Sequence, residues 1–167
     1  MHKKIVITGG LGYIGTELCK IYSGVSWNNE ILVIDNRFIS ERVNQLRNWN
    51  IGFVHGDILD KDLIKKYCKD VDVVHHLAGI TDVPRVKSES SDDKDAKIKL
   101  VAEEGTQNIL NTISDKCKII LPSTHVVYEG IQKVKNDILE DVDTKPILSY
   151  AISKAINEKQ LKNSEKN

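Results

Sequence analysis

The chain of 167 residues has the length of one ordinary domain, enough to bury a core without a disulfide or metal staple. Its 24 Lys+Arg balance 24 Asp+Glu for a formal net charge of +0, which argues against a general nucleic-acid or acidic-membrane binder. No apolar run approaches the length of a membrane-spanning helix.

In chain order, MHKKIVITGG passes from a short basic start into the strand-like run Lys4–Thr8 and a glycine loop. It lacks the long apolar stretch and cleavage site of a signal peptide. Leu11, Ile14, Leu18 and Ile21 then repeat at helix spacing. Glu30–Asp35 and Gly52–His55 are further strand-like runs, and Leu63, Ile64, Tyr67 and Cys68 mark the next helix. Trp27 and Trp49 sit beside Asn-rich turns and carry no functional reading. Val71–Leu77 is the fourth strand-like run. Ser88–Lys97 is polar and charged, expected as a solvated loop leading into a helix. That helix, Lys94–Ile113, carries Ile98, Val101, Gly105, Ile109 and Leu110. Lys118–Ser123 is the fifth strand, and Leu148–Lys162 the last helix, with Ala151, Ile152, Ala155 and Ile156. The polar tail Lys159–Asn167 is expected to fray.

Short runs of successive apolar residues suit strands covered on both faces. Their alternation with helices predicts βαβ units, a parallel sheet and, with right-handed crossovers, a doubly wound α/β fold. No internal repeat is visible. The three cysteines, Cys19, Cys68 and Cys117, are odd in number and widely spaced. They read as reduced core thiols of a cytoplasmic protein, and no Cys/His cluster has zinc spacing, so no metal site is expected.

Gly9, Gly12 and Gly15 recur every three residues between the first strand and the first helix. The first allows a tight reversal, the second a close approach of backbone to a pyrophosphate, and the third close helix–strand packing. The helix N-terminus adds free N–H groups for the anion. Asp35 closes the second strand twenty residues after Gly15. A carboxylate there can accept both ribose hydroxyls and repel a 2′-phosphate, which favours NAD over NADP. Arg37, two residues on, is the group that could pair with a 2′-phosphate instead, and Asp35 could also act as a helix cap.

Tyr150 and Lys154, four apart in a helical segment, project from one face. A lysine ammonium beside a phenol favours the phenolate, which can serve as a general base. Ser123-Thr124 stands at the carboxyl end of the fifth strand, where open α/β sheets bind ligands. A hydroxyl there can bond a substrate oxygen, or simply cap the strand end.

Taken together, TGGLGYIG, Asp35, Gly56-Asp57-Ile58, His76-Leu77-Ala78-Gly79, Ser123-Thr124-His125-Val126-Val127-Tyr128 and Tyr150-x-x-x-Lys154 resemble the extended short-chain dehydrogenase/reductase family. More narrowly, they resemble its NAD-dependent epimerase/dehydratase group acting on nucleotide sugars. The resemblance covers nearly the whole chain. It implies a Rossmann fold and an NAD cofactor held by Gly9, Gly12, Tyr13, Ile14, Gly15, Asp35 and Asn36. Asp57 would bond the adenine and Ile58 line its pocket, with Leu77, Ala78 and Gly79 bordering the cofactor. Thr124 matches the catalytic Ser/Thr, Tyr150 the base and Lys154 its partner, the last two also touching cofactor.

Three departures stand out. His125 and Val126 replace the Asp-Glu pair of the family's dehydratases, which argues against 4,6-dehydration. Ala102 stands where the pattern has an Asn three residues before Gly105. The chain stops after the Tyr-Lys helix, so residues 1–167 are expected to form a single NAD-binding domain, truncated there, without the C-terminal substrate domain. This would leave the fifth strand as an open apolar edge.

The resemblance thus implies transient hydride transfer at a nucleotide-sugar hydroxyl, in the manner of a 4-epimerase. A catalytically silent dinucleotide-binding module is the alternative. A one-way reductase is weaker, since it would usually prefer NADP. Helices Lys94–Ile113 and Leu148–Lys162 are expected to pair across a twofold axis in a homodimer, as their counterparts in the resembling family do, with Gly105, Ala151 and Ala155 small enough for close approach.

Overall fold

Alternating side chains of β1 (Lys4–Thr8) decide how the sheet is covered: Ile5 and Ile7 join one apolar cluster and Val6 the other. The computed structural model describes residues 2–25, 28–81, 91–131, 138–139, 142–164 and 166. After β1 come α1 (Tyr13–Gly24), β2 (Glu30–Asp35), α2 (Ser40–Asn48), β3 (Gly52–His55), α3 (Lys61–Cys68) and β4 (Val73–His76). Then follow α4 (Asp92–Leu100), a π turn (Val101–Gly105), α5 (Thr106–Thr112), β5 (Lys118–Ile120), a 3-10 turn (His125–Tyr128) and α6 (Ser149–Asn163). The strands form one sheet in the order β3-β2-β1-β4-β5, every neighbouring pair parallel. This is the doubly wound, Rossmann-like α/β fold the alternation predicts.

One face of the sheet packs Ile5, Ile7 and Val33 against Leu11 and Cys19 of the α1 side and Val43 and Leu46 of α2. The other packs Val6, Ile34 and Val74 against Ile64 and Cys68 of α3 and Ile109 and Leu110 of α5. Each buried aliphatic side chain of this size contributes roughly 1.5–3 kcal/mol. Burial pushes the thiols of Cys19 and Cys68 up to about 12 and that of Cys117 to about 11, so all three stay protonated core groups. Strand order reverses between β1 and β4, which brings their carboxyl ends side by side.

Several expectations are corrected. β5 ends at Ile120 rather than Ser123, because Pro122 has no N–H to give a ladder. β4 spans Val73–His76; Asp72 before it accepts from the Lys4 N–H at 2.8 Å through its side chain. On α1, Ile14 and Ile21 are 60% and 64% exposed, and the helix buries Gly15 and Cys19 instead. The long helix Lys94–Ile113 is three pieces, α4, the π turn and α5, and starts two residues earlier, at Asp92, within the stretch expected to hold a loop and a first helical turn. The face that α6 buries is partly polar: Ser153, Lys154 and Asn157 accompany Ala151, while Ile152 is half-exposed. The described part of the tail is tied down, since α6 runs to Asn163 and Lys166 Nζ donates to the Ile113 carbonyl at 3.1 Å and pairs with Asp115. Trp49 packs against the α1/α2 cluster; Trp27 and residues 88–90 lie outside the described residues. Among the described residues no helix is long and apolar enough to cross a membrane.

Candidate functional site

Gly9 has φ +68, a conformation that L side chains avoid. A Cβ there would stand 2.6 Å from the Ala78 main-chain nitrogen, so β1 can pass the end of β4 only with glycine at this point. Its N–H donates to the Ile34 carbonyl at 2.7 Å, and its own carbonyl accepts from Gly12 N at 2.9 Å. A Cβ on Gly15 would meet Gly10 Cα at 2.6 Å. The third glycine therefore seats α1 on its own loop rather than on the strand. Gly10, overlooked in the triplet reading, is equally constrained: a Cβ would lie 2.6 Å from Val33 Cγ1.

This loop opens onto a cleft of about 880 Å³. It is lined by Gly9, Gly12, Tyr13, Ile14, Gly15, Asp35, Asn36, Asp57, Ile58, Leu77, Ala78, Gly79, Tyr150 and Lys154 among others. α1 begins with Gly12 as an N-cap that has no side chain, and its first turn holds no acid. No side chain of its own therefore caps the N-terminal N–H groups, which suits an anion at the helix mouth.

At the β2 end the buried Asp35 carboxylate is held from two sides. Oδ2 accepts from Leu11 N at 2.9 Å, and Oδ1 accepts from Arg37 N at 3.0 Å and Arg37 Nε at 3.4 Å. Asp35 is thus bound to the glycine loop rather than spent on a helix cap. Arg37 reaches back over the loop, its Nη2 3.8 Å from where a Gly12 Cβ would be. Asn36 Nδ2 donates to Asp57 Oδ2 at 2.9 Å, and Asp57 Oδ1 accepts from Leu59 N at 2.9 Å. Arg42 of α2, which no sequence signal singled out, donates to the Leu11 carbonyl and closes the loop from outside.

The far end is built by α6. Lys154 is buried, and its Nζ donates to the Pro122 carbonyl at 3.1 Å and lies 5.9 Å from the centre of the Tyr150 ring. Burial lowers the Lys154 pKa, and the Glu158 carboxylate opposes that shift. Ser123 lines the cleft and donates to Glu158; Thr124 is not among the lining residues. The Thr124 side chain caps the 3-10 turn, accepting from Val126 N at 3.3 Å. Glu129, also unread in the sequence, accepts the N–H groups of Ile147 and Leu148 at 2.7 and 2.6 Å and so places the start of α6.

Beneath the cleft runs a buried polar chain. Thr8 Oγ1 accepts from Ala78 N at 3.3 Å and is hydrogen-bonded to His76 Nδ1 at 2.8 Å. His76 Nε2 is bonded to Thr106 Oγ1 at 2.9 Å, which in turn accepts from Asn157 Nδ2 at 2.8 Å. Full burial, with the Lys154 charge nearby, lowers the His76 pKa to about 3 and keeps the ring neutral.

The profile of the 3-beta hydroxysteroid dehydrogenase/isomerase family matches residues 6–167. A UDP-N-acetyl-alpha-D-glucosaminuronate decarboxylase of Bacillus cytotoxicus is 32% identical over 165 residues, 95% of this chain and 49% of the relative. A UDP-glucuronic acid 4-epimerase from Bacillus cereus, solved with UDP-glucuronic acid and NAD, superposes with TM-score 0.77 at 27% identity. The match covers 98% of this chain and 52% of that one. A UDP-glucose 4-epimerase from Brucella ovis in complex with NAD gives TM-score 0.76 at 28% identity over 96% of this chain and 47% of that one. The chain spans about half the length of these relatives.

Proposed function

Since the chain belongs to the extended short-chain dehydrogenase/reductase family, in its NAD-dependent epimerase/dehydratase group, we propose that it holds NAD in this cleft and serves transient oxidation of a nucleotide-sugar hydroxyl, in the manner of a 4-epimerase. The convergence of the glycine loop, Asp35, Tyr150 and Lys154 on one 880 Å³ cleft carries this reading. The matching profile is named for steroid enzymes, but the three relatives described above, each matching along 95% or more of this chain, are nucleotide-sugar enzymes, and we take the substrate class from them.

The residues fit the cofactor. Gly12 puts no side chain at the uncapped start of α1, where a pyrophosphate would lie, and the Asp35 carboxylate faces the place of an adenosine ribose. When bound, NAD would take up a hydride from the sugar carbon and return it. Tyr150 removes the proton from the hydroxyl on that carbon and later gives it back. The Lys154 ammonium, fixed by the Pro122 carbonyl, stabilises the negative charge that develops on the phenol oxygen. A hydroxyl of the Ser123-Thr124 pair steadies the substrate oxygen; Ser123 is the one facing the cleft.

Incubation with NAD and UDP-glucose or UDP-glucuronate, with the sugar products resolved by chromatography, tests this reading. Tyr150→Phe should abolish conversion and leave the Kd for NAD within about twofold; Lys154→Ala should damage both. Near-normal turnover in Tyr150→Phe would place the base elsewhere. The capping role of Thr124 favours a second reading, a dinucleotide-binding module without turnover. Tight NAD binding with no sugar converted would select it.

We also propose a homodimer through the helical segments 94–113 and 148–162, the second of which leaves Ile152 37% exposed. A stable monomer in light scattering at micromolar concentration would refute it.

A further inference from the structure

Asn157 is 5% exposed and reaches two other elements. Its Nδ2 donates to the Ala102 carbonyl at 2.9 Å and to Thr106 Oγ1 at 2.8 Å. One turn further along α6, Gln160 Nε2 donates to the next carbonyl, that of Glu103, at 2.9 Å. Both carbonyls belong to the π turn, whose wider winding displaces a helix's normal ladder. Tyr150, Lys154 and Asn157 follow the spacing of one helix face. The amide that fixes the π turn is thus on the same face as the pair proposed to move the proton. Only Asn157 of the two amides continues into the buried chain through Thr106 and His76 to Thr8, whose hydroxyl receives the Ala78 N–H at the cleft wall.

We infer that Asn157 is a positioning residue for this site: it locks the Tyr150–Lys154 face of α6 in register with the wall of the cleft that borders the glycine loop. The inference rests on the reading of the cleft as an NAD site and goes beyond it, because it names the group that couples the two ends. Removing the Asn157 amide takes a donor from both the Ala102 carbonyl and the buried Thr106 hydroxyl at once.

Gln160 supplies the comparison, since it grips the same turn at 2.9 Å and meets the chain only at its end, where its Oε1 accepts from Asn157 Nδ2 at 3.3 Å. In the protein without cofactor, Asn157→Ala should shift the ring nitrogen resonances of His76, whereas Gln160→Ala should leave them in place. With NAD added, Asn157→Ala should weaken binding roughly tenfold, the loss of about one buried hydrogen bond, and Gln160→Ala less than twofold. Asn157→Ser, which keeps one donor, should fall between them and serves if the alanine variant does not fold. Unchanged His76 resonances, or equal effects of the Asn157 and Gln160 variants, would overturn the inference. If the unmodified protein failed to bind NAD, the functional reading would fall, and the His76 resonances would still decide the role of Asn157.

Discussion

The two halves of the sheet are held by different means. From β1 to β3 the interior is hydrocarbon apart from Asp35 and Thr8, and the decisive fits are of backbone against backbone, at Gly9 and Gly15. From β4 to α6 the interior includes His76, Thr106, Asn108, Ser153, Lys154 and Asn157, all buried. Shape positions the first half, which presents main-chain N–H groups and one carboxylate. Directional bonds position the second half, which presents the side chains able to move a proton. Steric fit fails through strain, whereas a polar network fails through unmet partners, and the two failures can be told apart.

The sharpest way to break the first half is Gly9→Ala. It puts a side chain at φ +68 and within 2.6 Å of Ala78 N, and should cost about 3 kcal/mol, combining the left-handed penalty with overpacking. Urea denaturation showing a loss under about 1 kcal/mol would mean the loop can relax.

For the second half, Thr106→Val keeps the volume but strips the hydroxyl shared by His76 and Asn157. A loss of about 2 kcal/mol is expected from the groups left unmet. A neutral outcome in the same urea assay would show that the chain is dispensable.

Acidity separates the halves more gently. His76 has its folded pKa lowered to about 3 against 6.5 for the free side chain. The unfolded chain therefore binds more protons between those values, and the stability is whole above about pH 6.5 and lost as pH falls toward about 3. The slope is about 1.4 kcal/mol per pH unit, so urea unfolding at pH 5 should show about 2 kcal/mol less stability than at pH 7. Burial lowers His75 in the same direction and adds to the loss. Equal stability at the two pH values would contradict a buried neutral His76.

Legibility in the sequence followed the same division. Apolar runs revealed the five strands and their covered faces, and glycine spacing with Asp35 revealed the loop, because hydrocarbon burial and backbone sterics leave local patterns. The π turn escaped notice because Ile98, Val101, Gly105 and Ile109 keep ordinary helical spacing on either side of it. The burial of the polar face of α6 escaped for another reason: Asn157 looks like a surface residue, and Lys154, though legible from its spacing to Tyr150, shows no sign of burial until Thr106 and Pro122 arrive from distant parts of the chain. Arg42 and Glu129 are legible only through the backbone groups they meet. At α1, Ile14 and Ile21 followed the apolar period but the helix turned the small residues Gly15 and Cys19 inward, where close seating on the loop wins.

The central claim is that the cleft beside Asp35 takes NAD, and calorimetric titration of the chain with NAD and NADP at fixed salt tests it most directly. Asp35 is buried and held by Leu11 N and Arg37, so its charge cannot swing away from an incoming 2′-phosphate. NAD should bind at least about tenfold more tightly, the effect of one unfavourable charge contact of about 1.4 kcal/mol, and Asp35→Ala should erode that preference. Equal affinity of the unmodified protein for the two dinucleotides, or no binding of either, would contradict the account.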